Sequence, residues 1–255
     1  VLHRAVAEQV KVHANEAPES PNQAGTVGDV RIVIAGGHGQ IAMRLEKLLA
    51  QRGDSPVGII RDPKQAADLR TVGADPVVCD LESAAVGELA SHLDGADAVV
   101  FAAGAGSGSG TARKETVDRG AAVLFADAAE RAGIRRYVMI SAMGADREPS
   151  PGTDPVFAAY LRAKGAADTD LAFRAGLDWT ILRPGRLTNE PGTGLVQLAV
   201  HTGRGAVPRD DVAAVLLALL DTPAAGMTLE LVAGNTPVGE AIRTVTSNYR
   251  SPAKE

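Results

Sequence analysis

The stretch Val30-Arg31-Ile32-Val33-Ile34-Ala35-Gly36-Gly37-His38-Gly39-Gln40-Ile41-Ala42 decides the fold of this chain. Its first half is a short apolar run, the pattern of a parallel strand buried on both faces. Its second half is a glycine cluster that opens a helix, because Ile41, Leu45, Leu48 and Leu49 recur at helical spacing until Gly53. The loop parses as Gly36-x-x-Gly39-x-x-Ala42 or as Gly37-x-Gly39-x-x-Ala42, with the same physics in both. Glycines allow a tight turn and let the backbone approach a pyrophosphate. Ala42 keeps the helix close to the sheet, and the helix N-terminus offers N–H groups and positive dipole to an anion. Gly36, Gly37, His38, Gly39, Gln40 and Ile41 are therefore expected to line a dinucleotide, with His38 a spectator at the rim.

The pattern repeats outward from this unit. Further strands are expected at 57–60, 77–79, 98–101, 137–140 and 179–182, separated by helical segments that include 111–132 and 155–174. Such alternation means βαβ units, a parallel sheet and helices on both faces: an α/β Rossmann fold, doubly wound. After Pro184 the pattern is less regular, with an apolar run at 195–200, a helix at 210–220, a strand at 228–232 and a last helix at 238–249. This reads as a small, irregular, substrate-side region. Residues 1–28 read as an N-terminal extension and linker, and 29–255 as a single domain. The glycine- and serine-rich 104–110 reads as a mobile loop.

Composition narrows the function. The chain has 255 residues, 45% of them hydrophobic but only 3% aromatic, so the core rests on Val, Leu, Ile and Ala. With 26 basic and 31 acidic residues the formal net charge is -5, and no basic run appears, so a nucleic-acid partner is not expected. No apolar stretch approaches the ~20 residues of a membrane span. His3, Arg4, Glu8 and Lys11 break up any signal-peptide core. A single cysteine, Cys79, leaves no disulfide framework and no cysteine-based zinc cluster, and the 5 histidines have no metal-like spacing. The expectation is a cytoplasmic monomer or homodimer acting on a small molecule without a metal.

Two features mark the cofactor and the chemistry. The second strand ends in Arg61, where an acid would bind the ribose hydroxyls of NAD(H) and a guanidinium would pair with the 2′-phosphate of NADP(H). NADP(H) is preferred on this reading, with Asp62 keeping NAD(H) open. Asp80 and Leu81 end the third strand, where a carboxylate can meet an adenine amino group. Ala102, Ala103 and Gly104, small enough for a cofactor to lie flat, end the fourth. Ser141 follows the fifth strand and is expected to point into the crevice. Tyr160 and Lys164 lie four residues apart on one helical face, where an ammonium would lower the phenol's pKa towards working pH. Asp210 and Asp211 read as the cap and first-turn acid of the helix that follows.

Together, Ile34 to Ala42, Ile60-Arg61-Asp62-Pro63, Val138 to Ser141, Tyr160-Leu161-Arg162-Ala163-Lys164, Asp178 to Gly185 and Arg209 to Ala213 resemble an atypical, extended-type short-chain dehydrogenase/reductase. The resemblance is to its NAD(P)H-binding group of sugar-epimerase-like, NmrA-like and biliverdin-reductase-B-like proteins, and covers nearly all of the chain from Asp29. It implies Ser141, Tyr160 and Lys164 as the catalytic set, and Pro184, Gly185 and the following Arg186-Leu187-Thr188 near the nicotinamide. It implies an oxidoreductase or epimerase of a small carbonyl or alcohol. The alternative is a cofactor-sensing regulator without turnover, because no helix asparagine of the kind that relays protons in other members is identified.

Overall fold

The computed structural model of the protein describes residues 30–106 and 108–247. The expectations for 1–28, for Ser107 and for the last helix beyond 247 fall outside them. The first unit is strand β1 (Arg31–Ala35) followed by helix α1 (Gln40–Arg52), which Gly53 closes in a left-handed conformation. β2 (Ser55–Ile60), a 3-10 turn (Pro63–Gln65) and α2 (Ala66–Thr71) come next, then β3 (Asp75–Val78), α3 (Val86–Leu93) and β4 (Ala98–Phe101). The long helix expected at 111–132 is present but not uniform. One α turn, α4 (Thr111–Arg113), leads into a π-helical segment (Lys114–Ala121) and then α5 (Ala122–Arg131). β5 (Arg136–Ile140), α6 (Pro155–Ala172) and β6 (Asp178–Pro184) complete the regular alternation.

The nine-stranded sheet continues beyond β6. Short β7 (Arg186–Thr188) and β9 (Ala206–Pro208) form a two-stranded ribbon of their own. β8 (Leu195–Ala199), β10 (Met227–Ala233) and β11 (Thr236–Pro237) extend the main sheet, with α7 (Arg209–Leu220) and α8 (Val238–Ser247) against it. The order is β11-β8-β10-β6-β5-β4-β1-β2-β3, and pairing is parallel except where β8 meets β10 and β11. The C-terminal part is thus less irregular than its sequence suggests. Its regularity lies in long-range pairing, Met227 to Leu231 against Thr180 to Pro184, which local periodicity does not encode.

Alternation along each strand sorts side chains to two cores. Ile32, Ile34, Val138 and Ile140 face one with Leu45, Leu49, Val212 and Leu216. Val33, Ala35, Tyr137 and Met139 face the other with Leu89, Leu93, Phe125 and Leu171. Burial on both faces is why these strands read as continuous apolar runs. β1 lies between β2 and β4, so connections leave it in opposite directions and a crevice opens at the carboxyl ends.

Candidate functional site

The glycine loop is built by close approach of backbone. Gly36 has φ +79°, and a Cβ there would come within 2.6 Å of Ala103 Cα. The N–H groups of Gly36 and Gly37 both donate to Ile59 O of β2 (3.1 and 2.9 Å), and Gly39 N donates to Gly36 O (2.8 Å). These bonds fix the turn and also consume those donors. The N–H groups left for an anion are those of α1's first turn, which have no intrahelical acceptor. The loop packs directly on Ala103, and Ala102, Ala103 and Gly104 form the small-residue wall of a slot beside Ile41 in that first turn, where a dinucleotide fits the donor set.

A cavity of ≈ 1210 Å³ opens from there along the carboxyl ends of β4, β5 and β6. Drug-sized pockets run about 300–1,000 Å³, so a cofactor and a second molecule can share it. Ile41, Ala102, Ala103, Gly104, Ser141, Tyr160, Lys164, Pro184 and Gly185 all line it. Gly36, Gly37, His38, Gly39, Gln40, Arg61, Asp80 and Leu81 do not. His38 Nε2 is 2.8 Å from Asp68 Oδ2, Arg61 Nη1 is 3.5 Å from Glu82 Oε2, and Asp80 Oδ1 accepts the Glu82 N–H (3.0 Å). Arg61 and Asp80 follow the outer strands β2 and β3, His38 reaches from the loop after β1 to α2, and Leu81 packs against the second core.

Helix α6 brings Tyr160 and Lys164 to this cavity, and its packing explains an otherwise costly residue. Gly165, mid-helix, lies so close to the loop after β5 that a Cβ would meet Ala145 O at 2.2 Å. Glycine in a helix interior costs about 1 kcal/mol relative to alanine; here it lets α6 press against the loop that carries Ser141. Lys164 Nζ is buried and donates to Ile140 O (3.2 Å) and Ala103 O (3.4 Å), and it lies 3.5 Å from Asp118 Oδ1. Burial pulls its pKa below the usual lysine value, while Asp118 and Asp168 pull it back up.

The expectation that Lys164 draws the phenol towards neutral pH is corrected. Burial pushes the Tyr160 pKa well above its ordinary value, and the carboxylates of Asp118 and Asp168 push it further. Lys164 is turned to carbonyls and to Asp118, so the phenol is held neutral, as a proton donor. Tyr160 stacks on Phe157 (centroids 5.9 Å apart), and Lys114 Nζ sits 5.5 Å from its ring centroid. Ser141 is more enclosed than expected, at 2% exposure, though it lines the cavity. Its Oγ faces the Asp168 carboxylate, and that contact works against the upward push of burial on the Asp168 pKa.

Several residues here were not singled out in the sequence. Lys114 and Asp118 project from the π segment, a geometry that recurs at functional sites. Asp118 Oδ2 accepts the Ala105 N–H (3.3 Å) and Lys114 Nζ donates to Gly106 O (2.9 Å), so the glycine-rich loop is tied down at its base. Arg183 Nε donates to Asp168 Oδ2 (2.8 Å), a buried pair. The available signal was the spacing: Lys114 with Asp118 and Lys164 with Asp168 are both i, i+4 pairs. Asp210 and Asp211 lie in the first turn of α7 as expected, but neither is its cap. Pro208 stands at the cap of α7, and the two carboxylates accept N–H groups of Gly192, Thr193 and Gly194, holding that loop instead. Away from the cavity, folding gathers Cys79, Glu88 and His92 to within 4.8 Å of one another, a grouping that sequence spacing did not reveal. Burial raises the Cys79 pKa and holds the thiol protonated.

Residues 36–223 match the model of a family described as NAD(P)H-binding. The chain belongs to the NAD(P)H-binding family. Members similar to it include the uncharacterized sugar epimerase YhfK of Bacillus subtilis (strain 168), 36% identical over 216 residues, spanning 84% of this chain and 99% of that one. Among solved structures, a Bacillus halodurans protein, provisionally named an NAD-dependent epimerase/dehydratase, superimposes with TM-score 0.78 at 34% identity, over 85% of this chain and all (100%) of that one. The oxidoreductase ylbE of Lactococcus lactis does so with TM-score 0.76 at 26% identity, over 88% of this chain and 100% of that one. A nicotinamide cofactor and an oxidoreductase- or epimerase-like character therefore hold for the family. Among the described residues no helix is long and apolar enough to cross a membrane.

Proposed function

We propose that this protein is a short-chain dehydrogenase/reductase-type enzyme that reduces a small carbonyl substrate, using NADP(H) in preference to NAD(H). The observation that carries the reading is the convergence of Ser141, Tyr160 and Lys164 on one cavity, next to the Ala102-Ala103-Gly104 slot. When bound, a reduced nicotinamide would supply hydride to a carbonyl carbon. Tyr160 Oη donates its proton to the carbonyl oxygen, in keeping with a phenol held neutral. Ser141 Oγ orients that oxygen with its hydroxyl. Lys164, through Ile140 O and Ala103 O, holds the two strand ends that frame the slot. The sheet runs unbroken from β3 to β11, which supports treating residues 29–255 as one domain.

The test is NADPH oxidation across a panel of ketones, quinones and flavins. Tyr160→Phe is expected to lower turnover by about 10²–10⁴-fold with NADPH affinity unchanged. Turnover unaffected by the substitution removes Tyr160 from the chemistry. NADPH binding without turnover on any substrate would instead favour a cofactor-sensing regulator, the reading that the missing asparagine leaves standing.

A further inference from the structure

Beyond Tyr160, the outer end of the cavity combines two features that the proposed chemistry does not use. One wall is apolar and open: Phe157 is 51% and Val156 36% exposed, and Phe157 stacks on the Tyr160 ring. Exposed aromatic surface inside a cleft is a platform for a flat apolar body. The same cavity is also lined by Arg186, which opens β7, and Arg204, just before β9. Their backbones are neighbours, since Arg186 N donates to Gly205 O (2.9 Å) and Arg186 pairs with Ala206. Among the described residues neither guanidinium has a carboxylate partner, although both line the cavity.

That lack is selective. The other charges on this end are engaged: Glu148 with Arg162, Asp154 with the Phe157 N–H, and Arg209 with Asn189 Oδ1 (2.7 Å). Arg147 pairs only loosely with its neighbour Asp146 (3.5 Å). A smaller recess of ≈ 280 Å³ shares Arg147 and Arg204 with the main cavity. It holds one carboxylate, Glu230, whose Oε2 already accepts the Thr202 N–H (2.8 Å). Both arginines are exposed to solvent, and in a chain of formal net charge -5 they form a local cationic spot available to an anion. A planar guanidinium matches a carboxylate bidentately.

We infer that the substrate is an amphipathic carboxylate, whose flat apolar body rests on Phe157 and Tyr160 and whose carboxylate is held by Arg186 and Arg204. This rests on the reading of the cavity as an active site and adds the class of molecule that enters it. The probes are 2-naphthoate and its uncharged isostere 2-naphthamide, titrated calorimetrically into the full-length protein, both cofactor-free and saturated with NADPH. Naphthoate is expected to bind at least tenfold more tightly than the amide, with the preference shrinking as salt rises. In the Arg186→Gln/Arg204→Gln double variant the two probes should bind within threefold of each other, and the Arg204→Gln single variant should lose part of the preference while NADPH affinity holds. Equal binding of both probes by the wild type, or no naphthoate binding, overturns the inference. So does a preference that survives the double substitution. A joint loss of NADPH affinity would mean that these arginines serve the cofactor's phosphates, and also overturns it. Failure of NADPH to bind the wild type would sink the enzymatic reading alone, because the naphthoate preference is still measured without cofactor.

Discussion

Three carboxylates on the two sides of the site are equally withdrawn from solvent yet held in opposite ways. Glu46 of α1, behind the glycine loop, is 0% exposed, and neither of its oxygens has a hydrogen-bond partner. Asp118 and Asp168, across the cavity, are 0% and 4% exposed and face Lys164 and Arg183. The glycine side is made of backbone packed at contact distance, and it leaves no room for a counter-charge. A Cβ on Gly58 would come within 2.6 Å of Glu46 Oε1, and one on Gly37 within 2.9 Å. The far side is made of charged side chains that neutralise one another. Burial without a partner keeps an acid protonated; burial with a partner can keep it charged.

The largest effect should come from making Glu46 ionise. Burial pushes its pKa up to about 8 from the ordinary 4.5 of a glutamate. An acid whose folded pKa is raised stabilises the fold relative to its ionised form below the unfolded value, and that advantage is lost as pH rises towards the folded value. Between pH 4.5 and 8 the unfolded chain releases the proton while the folded protein keeps it, so stability should fall with rising pH. At about 1.4 kcal/mol per pH unit the loss across that window is on the order of 3–5 kcal/mol. Urea denaturation of wild type and Glu46→Gln from pH 5 to pH 9 reads it directly. The wild type should lose stability relative to the variant as pH rises; parallel curves would mean that Glu46 finds a partner or water.

On the charged side the comparison breaks differently. Replacing Lys164 by methionine leaves Asp118 buried with one backbone N–H, and removing one member of such a pair costs about 3–5 kcal/mol. Adding Asp118→Asn should restore a large part of the loss, because the stranded charge is then gone. Unfolding free energies of the two single variants and the double give the coupling. A Lys164→Met variant less than about 1 kcal/mol below wild type would show that the pair contributes little to the fold, and that Lys164 is kept for chemistry alone.

The same division explains what the sequence discloses. The glycine loop is legible because its determinants are consecutive: one strand, three glycines and Ala42 state the turn and the close approach locally. β4 is found at 98–101 as expected, since a strand buried on both faces is a plain apolar run. Lys114 and Asp118 are not legible, because four-residue spacing marks any solvated helix face and nothing local announces the π segment that turns them inwards. Arg183 is similarly hidden in the run Trp179 to Pro184, where its pairing with Asp168 depends on α6 lying over β6. β8, β10 and β11 need partners distant in sequence, so periodicity alone leaves that region looking irregular. Chemistry made of backbone is written in short words; chemistry made of charge pairs is written across the fold.

Arg61 tests whether the backbone-built side also carries a charge that matters, and it is the smallest effect expected. The structure separates it from its neighbour. Asp62 Oδ1 accepts the Lys64 N–H (3.0 Å) and caps the 3-10 turn, so its carboxylate is turned back on its own chain. Arg61 is 57% exposed in its side chain and holds Glu82 only at 3.5 Å, while Glu82 is bound more closely by Arg113 (2.5 Å) and Thr116 (2.7 Å). A guanidinium so loosely engaged at the end of β2 can turn to a 2′-phosphate. That charge-assisted contact is worth about 1.5–3 kcal/mol, roughly a tenfold to hundredfold preference. Arg61→Ala should weaken NADPH by that factor and leave NADH nearly unchanged. Glu82→Gln, which removes a competing carboxylate while Arg61 remains, should tighten NADPH slightly. Fluorescence titration of both cofactors against the three proteins is sufficient: equal affinities in the wild type, insensitive to both substitutions, would place the 2′-phosphate elsewhere and leave the glycine side recognising the dinucleotide through backbone alone.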